Sequence, residues 1–217
     1  MIPLRDTIPS RRTPVVNHAI IAANVLVFLY ELSLGRRFDA FLFTYGLVPR
    51  DFALTSLVTS TFLHGGWLHL LGNMLYLYIF GDNVEDRLGH VRYLVFYLLC
   101  GMAAGAAQAW TSPHSGLPMV GASGAIAGVS GAYFLFFPTS RVVTLVPIFF
   151  FLQVVELPAV YFLLIWFIWQ VLSGVATLGD RSGMGGVAFW AHVGGFVTGM
   201  ILGPALRERT TAPTGWT

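Results

Sequence analysis

Met119-Val120-Gly121-Ala122-Ser123-Gly124-Ala125-Ile126-Ala127-Gly128-Val129-Ser130-Gly131 leads into an apolar run that Pro138 ends. One hydroxyl, Ser123, stands at its head among glycines and alanines. Helices in oily surroundings usually cover themselves with Leu and Ile. This one is bare, so neighbouring helices can approach it backbone to backbone. Its first turn carries the hydroxyl, at the end of a helix where unpaired N–H groups and the dipole favour an anion.

The composition around that stretch sets the solvent. The chain has 217 residues, 56% hydrophobic and 10% charged, against roughly 25% charged in an ordinary soluble domain. Its mean hydropathy is +0.72. Such a chain reads as an all-α polytopic membrane protein, long enough for one compact bundle. The net charge of +2 comes without a basic cluster, which gives no footing for nucleic acid. The single Cys100 lies inside an apolar run and reads as a small packing residue.

Six apolar runs span about 15–34, 66–84, 91–111, 123–138, 158–178 and 187–206. At ~1.5 Å per residue most can cross a ~30 Å hydrocarbon core. The fourth is short and is expected to begin below the membrane surface. The first is too long, and lacks the cleavage site, for a removable signal peptide. Residues 1–14 form a cytoplasmic N-terminal segment, 15–206 the membrane domain, and 207–217 a cytoplasmic tail expected to be disordered. With both termini inside, the inner segments hold Arg5, Arg11, Arg12, Arg87, Arg92, Arg141, Arg207 and Arg209. The outer ones hold Arg36, Arg37, Arg50 and Arg181. Eight against four favours an N-in, C-in arrangement. The connection over 35–65, rich in Phe and Arg, is expected to form short elements in the interface.

Polar side chains within the runs are costly, and mark function or interhelical hydrogen bonds. The second run carries His69 and Asn73, spaced i, i+4 on one face. The fourth begins with Ser123, and the last carries His192. In the six-helix arrangement these three runs point the same way. His69, Asn73 and His192 then lie roughly 5–10 Å below the outer surface at ~1.5 Å per residue. Ser123 leads a helix that starts at about that depth. Gly124 and Gly128 in the fourth run, and Gly195 and Gly199 in the sixth, have close-packing spacing.

A serine within reach of a histidine is the minimum for nucleophilic acyl transfer, the imidazole taking the hydroxyl proton. Of the ten acidic residues only Asp180, in the loop before the last run, is placed to join them, so the pair reads as a dyad. Donors for a tetrahedral oxyanion are the Ser123 N–H, His69 and Asn73. An interhelical hydrogen bond is the plainer alternative for His69 and Asn73.

These residues resemble the rhomboid family of intramembrane serine proteases. The Gly-x-Ser-Gly signature falls on Gly121, Ala122, Ser123 and Gly124, and the Ala-His-x-x-Gly signature on Ala191, His192 and Gly195. The family's His…His-x-x-x-Asn stretch falls on His64, His69 and Asn73. The resemblance implies a six-transmembrane-helix bundle of bacterial type, in the bacterial cell (inner) membrane, with its site toward the extracytoplasmic side. It implies Ser123 as nucleophile, His192 as base, His69 and Asn73 at the oxyanion, and His64 organising the outer loop. Its substrates would be transmembrane segments of other proteins, reached through the lipid bilayer or from water. It requires no metal and no cofactor. Two positions depart from the pattern. Thr55 and Ser56 stand where many members have Trp-Arg, which bears on loop anchoring. Ala127 stands where some stack a Tyr on the histidine, so His192 must be held by other contacts.

Other features read more plainly. Phe162, Trp166, Phe167 and Trp169 in the fifth run suit a substrate gate or ordinary packing. Glu85, Asp86, Arg87 and Arg92 read as a salt-bridged cap on the cytoplasmic side. Gln108, Gln153 and Glu156 have no role derivable from sequence. The rival function is a catalytically silent rhomboid-like protein that binds client transmembrane helices. Retention of both Ser123 and His192 speaks against it.

Overall fold

A computed structural model of the chain describes residues 1–148, 151–177 and 187–208. Asp180, Arg181, Arg209 and the remainder of the expected tail lie outside the described residues. The chain is mostly helical. It runs β1 (Ile2–Asp6), α1 (Val15–Ser33), α2 (Phe38–Tyr45), α3 (Ser56–Thr59), α4 (Trp67–Leu88), α5 (His90–Thr111) and α6 (Ser123–Phe136). After α6 come β2 (Arg141–Ile148), β3 (Phe151–Pro158), α7 (Ala159–Ala176) and α8 (Phe189–Leu206), while 3-10 turns break up the segment between α1 and α4. Helices α1, α5, α7 and α8 are long and apolar enough to cross a membrane, and α6 is a shorter apolar helix. Helix α4 is as long as α5, but its last turns carry Asp82, Glu85, Asp86 and Arg87. Gly89, at φ +77°, turns the chain from α4 into α5 in one residue.

Helix α6 is the axis of the bundle. Every residue from Gly124 to Tyr133 is buried. It meets α8 with no side chain between them at several levels. A Cβ on Gly195 would overlap the Gly124 carbonyl, and one on Gly199 the Gly128 carbonyl. Gly131 likewise faces the Phe196 carbonyl. Helix α5 closes on the same seam through small residues, with Ala104 against Gly124 and Cys100 against Gly128. Lipid offers apolar side chains no hydrophobic reward for leaving it, so close backbone packing is what holds such helices together.

The expectation of an all-α chain is corrected at the end of the bundle opposite Ser123. There β2 and β3 form an antiparallel hairpin, and β1 adds antiparallel to β2, giving the order β1-β2-β3. Val142, Val143, Thr144, Val146, Val154 and Val155 are β-branched, which favours the extended chain. The strand added to the hairpin, β1, lies far from it in the sequence, so no local pattern announces it. Asp6 fastens this sheet to the helices: its carboxylate accepts from Tyr133 OH at 2.6 Å and Asn83 Nδ2 at 2.9 Å. Burial pushes the Asp6 carboxyl up to about 6.

The cap read as salt bridges works differently. Glu85 accepts the Val16 and Asn17 N–H groups at 3.0 and 2.7 Å, placing a carboxylate on the N-terminus of α1. It also bonds to His90 Nδ1. Asp86 accepts the Arg11 and Arg12 N–H groups. Arg87 lies over the Phe137 ring at 4.9 Å. An ion pair at this end joins Arg12 to Glu208 at 2.9 Å, and the His90–Glu85 contact is a second when the imidazole is protonated. These acids serve orphan backbone donors, which a count of opposite charges does not reveal.

Candidate active site

The lead-in to α6 is held from two sides. Leu47 and Met119 exchange backbone hydrogen bonds of 2.9 and 2.8 Å, and the Gly121 N–H donates to the Ser60 carbonyl at 2.9 Å. Gly121 has φ +125°, and a Cβ there would run into the His69 ring. Glycine at 121 therefore meets two demands: a backbone that L-residues avoid, and room for an imidazole. Ser123 follows as the first residue of α6, and no side chain caps that helix. Its first-turn N–H groups have no partner within the helix.

His192 lies in the first turn of α8, and its Nε2 is 2.9 Å from Ser123 Oγ. The glycine seam between α6 and α8 brings the two together. On the other side of the imidazole, Nδ1 lies 2.8 Å from Gln170 Oε1 of α7. The Trp166 ring stands 5.7 Å from the His192 ring, tilted by 38°. Trp166 and Gln170 are one turn apart and share a face of α7. Ala127 is buried and brings no ring to the histidine.

His69 and Asn73 complete the group from α4. His69 packs on Gly121, and Asn73 Nδ2 is 3.0 Å from His64 Nε2. His64 is fully buried, and its backbone N–H donates to the Glu31 carboxylate at 3.3 Å. Glu31, His64 and Asn73 thus form a chain from α1 to the site. At the positions that depart from the family pattern, Ser56 Oγ donates to the Ala53 carbonyl at 2.6 Å. Thr55 accepts the Thr59 N–H at 3.1 Å, and Leu57 packs against Gly105. Local hydrogen bonds and a leucine anchor this loop.

A cavity of about 920 Å³ covers these groups, lined by His69, Asn73, Gly121, Ser123, Trp166 and His192 among others. It reaches the loops at 65–66, 115–120 and 187–188. Its size is that of a site for a drug-sized or peptide ligand.

Two contributors have no role assigned from sequence. Gln170 lies in an aromatic helix whose azimuth the sequence leaves open, although an amide in an apolar run is itself a signal. Gln108 of α5 accepts the Ala191 N–H at 3.2 Å, serving an orphan donor of α8 beside His192. Glu156 stands away from the site, in β3, and is 3.8 Å from Arg141. Of the four aromatic residues of α7 that suit a gate by sequence, Phe162 is in the core, Phe167 stacks on Phe196 and Trp169 is exposed. Only Trp166 of that set meets the imidazole.

The model of the Rhomboid domain matches residues 51–209, well over half of the chain. The chain belongs to the rhomboid family. It is a membrane-embedded, multi-pass protein. Among its relatives is rhomboid-like protein 11, chloroplastic, of Arabidopsis thaliana, 34% identical over 110 residues, or 51% of this chain and 38% of that protein. Rhomboid protein 1, mitochondrial, of Saccharomyces cerevisiae is 32% identical over 136 residues, 59% of this chain and 38% of its own. Rhomboid protease GluP of Bacillus subtilis is 34% identical over 124 residues, 55% and 24% respectively. This rhomboid-family chain therefore spans less than half the length of these relatives. Their names cover a chloroplast, a mitochondrion and a bacterium, so the similarity fixes the membrane-embedded class and not one particular membrane.

Proposed function

We propose that this chain is an intramembrane serine endopeptidase that hydrolyses peptide bonds in or near transmembrane segments. One observation carries the reading: 2.9 Å between Ser123 Oγ and His192 Nε2, beneath a cavity and within an apolar bundle. Ser123 Oγ attacks the scissile carbonyl carbon while His192 Nε2 takes its proton. The carbonyl oxygen becomes an oxyanion, facing the Ser123 N–H, Asn73 Nδ2 and the His69 ring. The C–N bond breaks, His192 returns the proton to the leaving amine, and an acyl group remains on Ser123. Water, giving a proton to His192, then releases the acid and restores the hydroxyl. The relative named as a rhomboid protease supports the same class.

The domain is taken as residues 15–206, with six spans that place both termini in the cytoplasm and the site toward the other face. The arginine distribution supports that orientation. The membrane is proposed to be a bacterial cell membrane. Purified protein in proteoliposomes should cut a model transmembrane substrate, and Ser123→Ala should abolish the cut. A wild-type protein that binds the substrate without cutting it would favour the silent client-binding alternative.

A further inference from the structure

The geometry points to Gln170 as the positioning residue that fixes the proton on His192. The inference rests on the reading of Ser123 and His192 as the reacting pair. A neutral imidazole carries one N–H and one lone pair, and a general base facing Ser123 needs its lone pair at Nε2. The proton must then reside on Nδ1, 2.8 Å from the Gln170 amide oxygen. An amide oxygen only accepts, so it favours that tautomer and disfavours the reverse one. Gln170 is 6% exposed, and water competes little for the bond. Among the described residues no carboxylate bonds to His192, and the amide stands where a triad would have an acid. It accepts the same proton before and after Nε2 is protonated, so it orients the ring without adding a charge.

Trp166, one turn earlier on α7, flanks the same ring. Helix α7 thus supplies a ring where Ala127 of α6 brings none, together with the acceptor at Nδ1. Displacing α7 would lengthen the Gln170 bond, so the position of this helix and the readiness of the pair are coupled.

Two readouts separate this role from simple packing. In protein labelled with ¹⁵N at the histidine rings, long-range ¹H–¹⁵N spectra should show His192, assigned by its loss in His192→Gln, protonated on Nδ1. Gln170→Met, similar in volume but without the amide oxygen, should mix the tautomers. It should also slow fluorophosphonate labelling of Ser123 by about 10²-fold, the cost of a misplaced reacting group, with KM for a model substrate unchanged. Gln170→Glu, which restores an acceptor, should label near the wild-type rate. Wild-type His192 protonated on Nε2, or Gln170→Met labelling as fast as wild type, would overturn the role. If Gln170→Met does not fold, the wild-type spectrum and the Gln170→Glu rate decide. Wild-type protein that takes up no label at Ser123 would count against the protease reading, and the spectrum would still test the Gln170 bond.

Discussion

His192 is held from two sides by different physics. On the side of α6 the contact is backbone on backbone: Gly124 and Gly128 meet Gly195 and Gly199 with no room for a methyl group. On the side of α7 it is made by side chains, the Gln170 amide, the Trp166 ring and the Phe167–Phe196 stack with centroids 4.6 Å apart. The first fixes where the imidazole stands, and the second fixes how it is turned. A glycine seam has no rotamers and gives only by separating the helices. Side-chain contacts can loosen one at a time.

Substitutions on the two sides should therefore fail differently. Gly195→Val, whose side chain would enter the Gly124 carbonyl, should abolish cleavage and cost the protein its cooperative thermal transition. A folded, active Gly195→Val would break the distinction. Asn73→Ala removes a proposed oxyanion donor and leaves both sides of the imidazole intact. It should lower kcat by ~10²–10³ while the protein stays folded, with a modest loss of melting temperature because the buried His64 Nε2 loses its partner. Trp166→Ala loosens only the α7 side, and should cut kcat by about tenfold, near 1.4 kcal/mol of barrier, while the protein stays folded.

The smallest effect lies at the far end. The Asp6 carboxyl is raised from 3.8 to about 6 by burial, so its neutral form favours the folded state. Its contribution is fully present below about 3.8 and is lost as pH rises through about 6. Screening at this partly exposed group limits the effect to ~1 kcal/mol, or about 2–4 °C in melting temperature at this size. Scans between pH 4 and 8 should show that decline in wild type and not in Asp6→Asn.

The two sides also differ in how far the sequence reveals them. Small residues at four-residue spacing beside Ser123 and His192 are a pattern that survives without coordinates, because both helices need the same thinness at the same level. Gln170 carries no such spacing, and whether it faces lipid or His192 depends on the rotation of α7, which aromatic residues on every side conceal. The sheet was hidden for another reason. Ile2 pairs with Leu145, and a strand whose partner lies so far along the chain leaves no local periodicity. Glu85 and Asp86 were visible as charges, but each accepts from two backbone N–H groups, which every residue except proline has.

The most direct test of the account is the site of covalent modification by a fluorophosphonate, read by mass spectrometry of the digested protein. The account predicts a single adduct on Ser123, absent from His192→Ala. An adduct on another residue, or an undiminished Ser123 adduct in His192→Ala, would contradict it.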